Sequence, residues 1–171
     1  AVPAPMLSSA GALARGGLLV RDLQALEALA GIDTVVFDKT GTLTRDPPRL
    51  VRIYCREGMR PREALARAAA IAAASLHPAA RGLAAAWRNV AQPDENRWQL
   101  LQATEHGGQG VQAALRACGK GQRDQQMRLG SAAWCGAAAL DVSAIQVHLA
   151  DEFGWAASFV LDEDLRPDAA E

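Results

Sequence analysis

Apolar and polar positions along this chain follow two periods, one helical and one alternating, punctuated by proline and glycine. Residues 6–15 and 22–30 read as helices; in the second, Leu23, Leu26 and Ala30 form one stripe, Asp22 stands as a possible N-cap and Gly31 as a stop. A strand is predicted over 33–38, where Thr34-Val35-Val36-Phe37 is rich in β-branched and aromatic residues. Asp46-Pro47-Pro48 breaks the pattern, because tandem prolines continue neither a helix nor an interior strand, and a domain boundary or hinge is expected there. Then follow a strand over 50–55, a turn at Glu57-Gly58, a helix from Pro61 to about Ala74 and another from Pro78 to about Asn89. Strands are predicted near 97–103, 111–117 and 125–129, separated by Gly-rich turns, and Ser131 is expected to cap a short helix through Cys135. Strands near 143–149 and 155–161 flank the turn Asp151-Glu152-Phe153-Gly154. Two helices with several antiparallel strands make the middle of the chain α+β.

Composition narrows the picture. The 171 residues are half apolar, enough for a core, and 18 basic against 19 acidic residues leave a net charge of −1. That balance argues against nucleic acid or an anionic membrane surface as the main partner. Cys55, Cys118 and Cys135 are scattered, with no CxxC pair, so neither a disulfide framework nor a thiolate zinc site is expected, and a reducing cytosolic setting fits. The longest uncharged stretch, Ala1 to Ala14, is shorter than the ~20 residues of a membrane span and lacks the basic start of a signal peptide. Both ends read as cut from a longer protein: Ala1 opens directly into Val2-Pro3-Ala4-Pro5, and 162–171 read as the start of an element.

The densest chemistry lies in Asp38-Lys39-Thr40-Gly41-Thr42-Leu43-Thr44, directly after the predicted strand. In open α/β sheets ligands bind at the C-terminal ends of strands. A carboxylate there, facing the N–H groups of a Gly-containing turn, is placed to attack a phosphoryl group. Gly41 permits close backbone approach, and Thr42 offers N–H and hydroxyl donors.

This heptapeptide resembles the phosphorylation signature of the P-type ATPases at every position. Other stretches resemble their heavy-metal-transporting branch: Gly17-Leu-Leu-Val-Arg with Ala25-Leu-Glu-Ala-Leu-Ala, Ser75-Leu76-His77-Pro78, Gly108-Gln109-Gly110-Val111, and Asp164-Leu-Arg-Pro-Asp-Ala. Ala12-Leu-Ala-Arg-Gly-Gly-Leu-Leu-Val is similar in style to the copper exporters linked to cytochrome oxidase assembly, and Ala1-Val2-Pro3 to residues following the metal-binding membrane helix. The resemblance implies a partial haloacid-dehalogenase-like Rossmann phosphorylation domain with an inserted nucleotide-binding domain, an antiparallel sheet flanked by helices. It implies linker helices and the first part of the phosphorylation domain over 1–46, the nucleotide-binding domain over 47–158 and the return over 159–171. It implies ATP and Mg²⁺ as cofactors, Asp38 as nucleophile, Lys39 and Thr42 as positioning groups, and Asp38 with the Thr40 carbonyl as Mg²⁺ ligands. His77 and Pro78, with Gly108, Gly110 and Gly130, are implied to form the nucleotide site. The implied partners are the membrane and actuator domains of the same pump, at the cytoplasmic face of a membrane, and a metal ion bound outside this chain. A second copy of the chain is a further candidate, because a parallel sheet without its later strands exposes apolar edges.

Each site residue has a plainer reading: Lys39 as a solvated lysine, His77 as a lone histidine between two helices, Gly108-x-Gly110 as an ordinary turn. His106, His148 and the cysteines lack ligand spacing and read as structural or surface residues. Three departures stand out. Family members usually carry a Glu five residues before the motif His, accepting the adenine amino group, and here that residue is Ala72, with Glu105 a candidate replacement. The Glu directly before the His is Leu76, and Glu163 stands where the return segment usually has Asp. Two other functions stay open. One is a soluble phosphohydrolase of the same superfamily, although Thr40 stands where those enzymes usually have an acidic acid/base residue. The other is a non-catalytic module binding nucleotide or a partner.

Overall fold

Six strands form one antiparallel sheet in the order β1-β6-β5-β4-β3-β2: β1 Arg49–Cys55, β2 Trp98–His106, β3 Gly110–Ala117, β4 Asp124–Gly130, β5 Ile145–Asp151 and β6 Gly154–Asp162. The computed structural model describes residues 4–91, 98–119, 123–138, 140, 142–166 and 169, and only the backbone of Thr40 and Gly41. Expectations that touch residues 1–3, 97, 167–168 and 170–171 fall outside the described residues. The chain divides into two units, Ala1–Phe37 and Asp38–Glu171.

In the first unit, α1 spans Ala4–Arg15 and α2 spans Gln24–Ala30, and neither has a buried residue. The N-cap of α2 is Leu23, one residue beyond the expected Asp22, and has no side-chain cap; Asp22 Oδ1 accepts from the Gln24 N–H at 2.9 Å. The strand predicted over 33–38 is not formed. Val35, Val36 and Phe37 are 66%, 89% and 62% exposed, and no described segment pairs with them. A strand propensity is a fit to a pleated, half-buried surface; without a neighbouring strand the backbone groups stay with water.

The second unit opens on a five-residue π-helical turn, Lys39–Leu43, closed by the Thr44 N–H and Oγ1 donating to the Lys39 carbonyl at 3.1 and 3.2 Å. The returning chain runs beside it. Thr44 bridges Leu165, the Arg45 N–H donates to the Asp164 carbonyl at 2.8 Å, and the Arg166 N–H donates to the Leu43 carbonyl at 2.9 Å. Lys39 pairs with Glu163, and Arg49 grips Asp164 with two nitrogens at 2.9 and 3.3 Å, holding that carboxyl below its usual range. The position read as a departure from the usual Asp thus supplies the partner of the motif lysine.

Helices α3 (Pro61–Ala72) and α4 (Pro78–Val90) both begin on proline, whose missing N–H and fixed φ suit the first helical turn. Ala64, Leu65, Ala68, Ile71 and Ala72 of α3 and Ala79, Ala80 and Leu83 of α4 are buried. All of these but Ala79 form one core with Val111, Ala113, Leu115, Met127, Leu129, Leu149, Phe159 and Leu161 from the sheet. The small helical residues let α4 sit close: a Cβ added at Gly82 would lie 2.5 Å from the Pro48 carbonyl oxygen. The short helix α5 (Ala132–Cys135) packs against β4 and β5, with Cys135 buried and its thiol pushed up to about 11 by burial. Ser131 occupies its N-cap position but makes no side-chain cap, correcting the expected capping; a four-residue helix is held here by its packing instead. His148 is buried beside Ser158, 2.7 Å from its hydroxyl, and burial holds its pKa below the ordinary value. Among the described residues no helix is long and apolar enough to cross a membrane.

One irregularity matters for the site. In β2 the register shifts between Leu100 and Gln102, so Leu101 is an extra residue. Before it Trp98 and Leu100 oppose Ala117 and Leu115; after it Ala103 and Glu105 oppose Ala113 and Val111. The buried residues of β3 (Val111, Ala113, Leu115) mark the helix-covered face, and directly opposed residues share a face. The bulge therefore moves Glu105 onto the helix side.

Candidate functional site

A cavity of about 290 Å³ opens at the end of the sheet where β2 turns into β3, bounded by the start of α4 and by the end of β4. His77, Gly108, Gly110 and Gly130 all line it. Residues from separate segments of the chain are thus brought to one hollow by the sheet order and by α4 lying over it. Pro78 does not line the cavity; it fixes the first turn of α4. Asp38, Lys39 and Thr42 do not line it either; they lie at the π-helical turn that also contains the Thr40 backbone. Asp38 and Thr42 are exposed.

His77 is held by its own helix. Its Nδ1 accepts from the Ala79 N–H at 3.2 Å, and its backbone N–H donates to Ser75 Oγ at 3.2 Å. With Nδ1 used as acceptor, the proton of the neutral ring sits on Nε2, leaving one donor and a flat face. The ring is therefore an N-cap as well as a cavity wall. Replacing His77 by Ala is expected to lower stability by about 0.5–1.5 kcal/mol, and His77→Asn to restore most of it. Urea unfolding checks this, and an unchanged midpoint in His77→Ala would remove the capping role.

The three glycines differ. Gly110 opposes Gly130 across β3 and β4. A Cβ at Gly110 would lie 2.2 Å from the Leu129 carbonyl oxygen, and one at Gly130 would lie 2.0 Å from the Gln109 carbonyl oxygen. These two permit two backbones to meet. Gly108 has φ +71°, and no atom lies within 4 Å of where a methyl would stand, so it serves the turn and leaves open space above it.

The polar side chains around the cavity are unequally committed. The Gln146 amide is taken up by Leu140 and Val142 backbone groups at 2.8–3.3 Å. The His106 ring lies against Trp134, centroids 5.3 Å apart. Glu105 lines the cavity and has no hydrogen-bond or ion-pair partner among the described residues. Ala72 is 2% exposed in the core and does not line it. Among the described residues no group of three or more His, Cys, Asp or Glu is placed to hold a metal ion.

Residues 32–171 match the model of the haloacid dehalogenase-like hydrolases, and the chain belongs to that family. It is 37% identical over 176 residues to the nitrogen fixation protein FixI of Rhizobium leguminosarum bv. viciae, covering all of this chain and 21% of that protein. It is 34% identical over 178 residues to SynA of Synechococcus sp., described as a probable copper-transporting ATPase, again covering all of this chain and 21% of the relative. The chain thus spans about a fifth of the length of these curated relatives. The solved catalytic CPx-ATPase domain CopB-B shares the fold, with a TM-score of 0.64 at 22% identity over 98% of this chain and 55% of that one.

Proposed function

We propose that this chain is the cytosolic catalytic part of a heavy-metal-transporting P-type ATPase, with copper the favoured ion. ATP binds in the cavity and Asp38 becomes phosphorylated. The observation that carries this reading is the combination, in one unit, of the Asp38–Thr44 motif with a cavity lined by His77, Gly108, Gly110 and Gly130. Residues 47–158 are assigned to nucleotide binding, 1–46 to the linker helices and the start of the phosphorylation domain, and 159–171 to the return. A volume near 290 Å³, at the lower end of the roughly 300–1,000 Å³ of small-molecule sites, suits a base and sugar, with the phosphates extending outward.

In the proposed reaction an Asp38 carboxylate oxygen attacks the γ-phosphorus, the bond from phosphorus to the β–γ bridging oxygen breaks, and ADP leaves. The Asp38 carboxylate is exposed and without a partner among the described residues. Together with the Thr40 carbonyl it is a hard-oxygen set of the kind that fits Mg²⁺ alongside phosphate oxygens. Such an ion offsets the charge of the phosphates when bound. The fast-hydrolysis alternative is disfavoured by Thr40, which offers no carboxyl to activate water. The membrane and actuator domains and the transported ion belong to the longer protein under this reading. Its test is ATP titration of the chain followed by amide NMR. Shifts clustered at His77, Gly108 and Gly110 at millimolar ATP are expected, and no shift there would reject the nucleotide site.

A further inference from the structure

We infer that Glu105 is the base-selecting residue of the cavity, accepting a hydrogen bond from an exocyclic amino group and so favouring 6-aminopurine nucleotides over 6-oxopurine ones. The inference rests on the nucleotide reading of the cavity and adds to it the residue that discriminates.

Three observations converge. The Leu101 bulge turns Glu105 to the face covered by the helices, the same face as Val111, and both line the cavity. In regular alternation from Trp98, Thr104 would face there and Glu105 would point to the opposite side. Next, among the described residues Glu105 is the only carboxylate lining the cavity, and it has no partner there. A carboxylate is an acceptor and never a donor when ionised. It repels phosphate, so the triphosphate lies away from it and the base lies near it. Finally, two other polar side chains of the lining offer little competition for an amino group. Gln146 is tied to backbone, and His77 presents its Nε2–H, a donor. A purine with an amino group at C6 donates to a Glu105 oxygen placed there, whereas one with a carbonyl at C6 sets an acceptor against that oxygen.

The test compares ATP with ITP on the wild-type chain, Glu105→Ala and Glu105→Gln, with Kd from calorimetry or NMR titration. The wild type is expected to prefer ATP. In Glu105→Ala, ATP weakens roughly five- to tenfold while ITP is unchanged or tightens. Glu105→Gln, whose amide both donates and accepts, is expected to keep ATP and gain ITP, an effect that loss of folding does not produce. A wild type that discriminates while both variants keep its ATP-to-ITP ratio would overturn the assignment to Glu105 and leave the nucleotide site standing. Binding of neither nucleotide by the wild type would overturn the nucleotide reading and this inference with it.

Discussion

Gly130→Ala is expected to destabilise the second unit by about 2–4 kcal/mol, and to abolish nucleotide binding in whatever folded protein remains. The methyl would fall 2.0 Å from the Gln109 carbonyl oxygen and 2.8 Å from the Gly110 Cα, both backbone atoms of the facing turn and strand. Neither can swing aside as a side-chain tip would. The strands must part, and with them goes the Ser131 N–H to Gln109 carbonyl bond of 2.8 Å. Overpacking alone costs about 1–3 kcal/mol, and a broken ladder bond adds about 1. Gly108→Ala is the control: open space surrounds it, so only its φ of +71° opposes the change, at about 1–2 kcal/mol. Urea unfolding of both variants decides the matter, and a milder effect at 130 than at 108 would contradict the close approach of β3 and β4.

Asp38→Asn is expected to remove phosphoenzyme completely from the pump-length protein given labelled ATP and Mg²⁺. The amide keeps the shape of the carboxylate and loses its nucleophilic oxygen. Asp38 makes no described hydrogen bond or ion pair, and the turn after it is closed by Thr44 and Lys39. The substitution should therefore leave the unfolding midpoint within about 0.5 kcal/mol of wild type, separating lost chemistry from lost structure. An acyl phosphate is stable in acid and cleaved by hydroxylamine. Label that survives in Asp38→Asn would reject Asp38 as the acceptor.

Much of the fold could be read from local signals. Pro61 and Pro78 begin α3 and α4 as their fixed φ dictates, and the glycines at 108, 110 and 154 mark the bends between strands. Those signals act within a few residues, so one sequence reveals them. Segment 33–37 misleads for the opposite reason: β-branched residues suit a strand, yet a strand exists only where another pairs with it. In the site, the residue types at 77, 108, 110 and 130 are visible in the sequence, but their reasons are not. That His77 caps its helix, and that Gly110 and Gly130 are demanded by each other, depends on how the backbone folds around them. The side Glu105 faces is hidden most deeply, since the one-residue bulge at Leu101 leaves no mark in the alternation of Leu100-Leu101-Gln102-Ala103.

The first and last strands of the sheet are neighbours, with Arg49 directly opposite Asp162. Adjacent strands lie about 4.8 Å apart, so the chain leaves this body almost where it came in. For any structure that holds both flanking segments, the whole body then counts as a very short loop. The closure entropy of a long flexible loop, which grows with the logarithm of its length, is removed once the sheet has formed. Folding of the sheet thereby favours folding of whatever lies on either side, and a substitution that opens the β1–β6 pairing would weaken both.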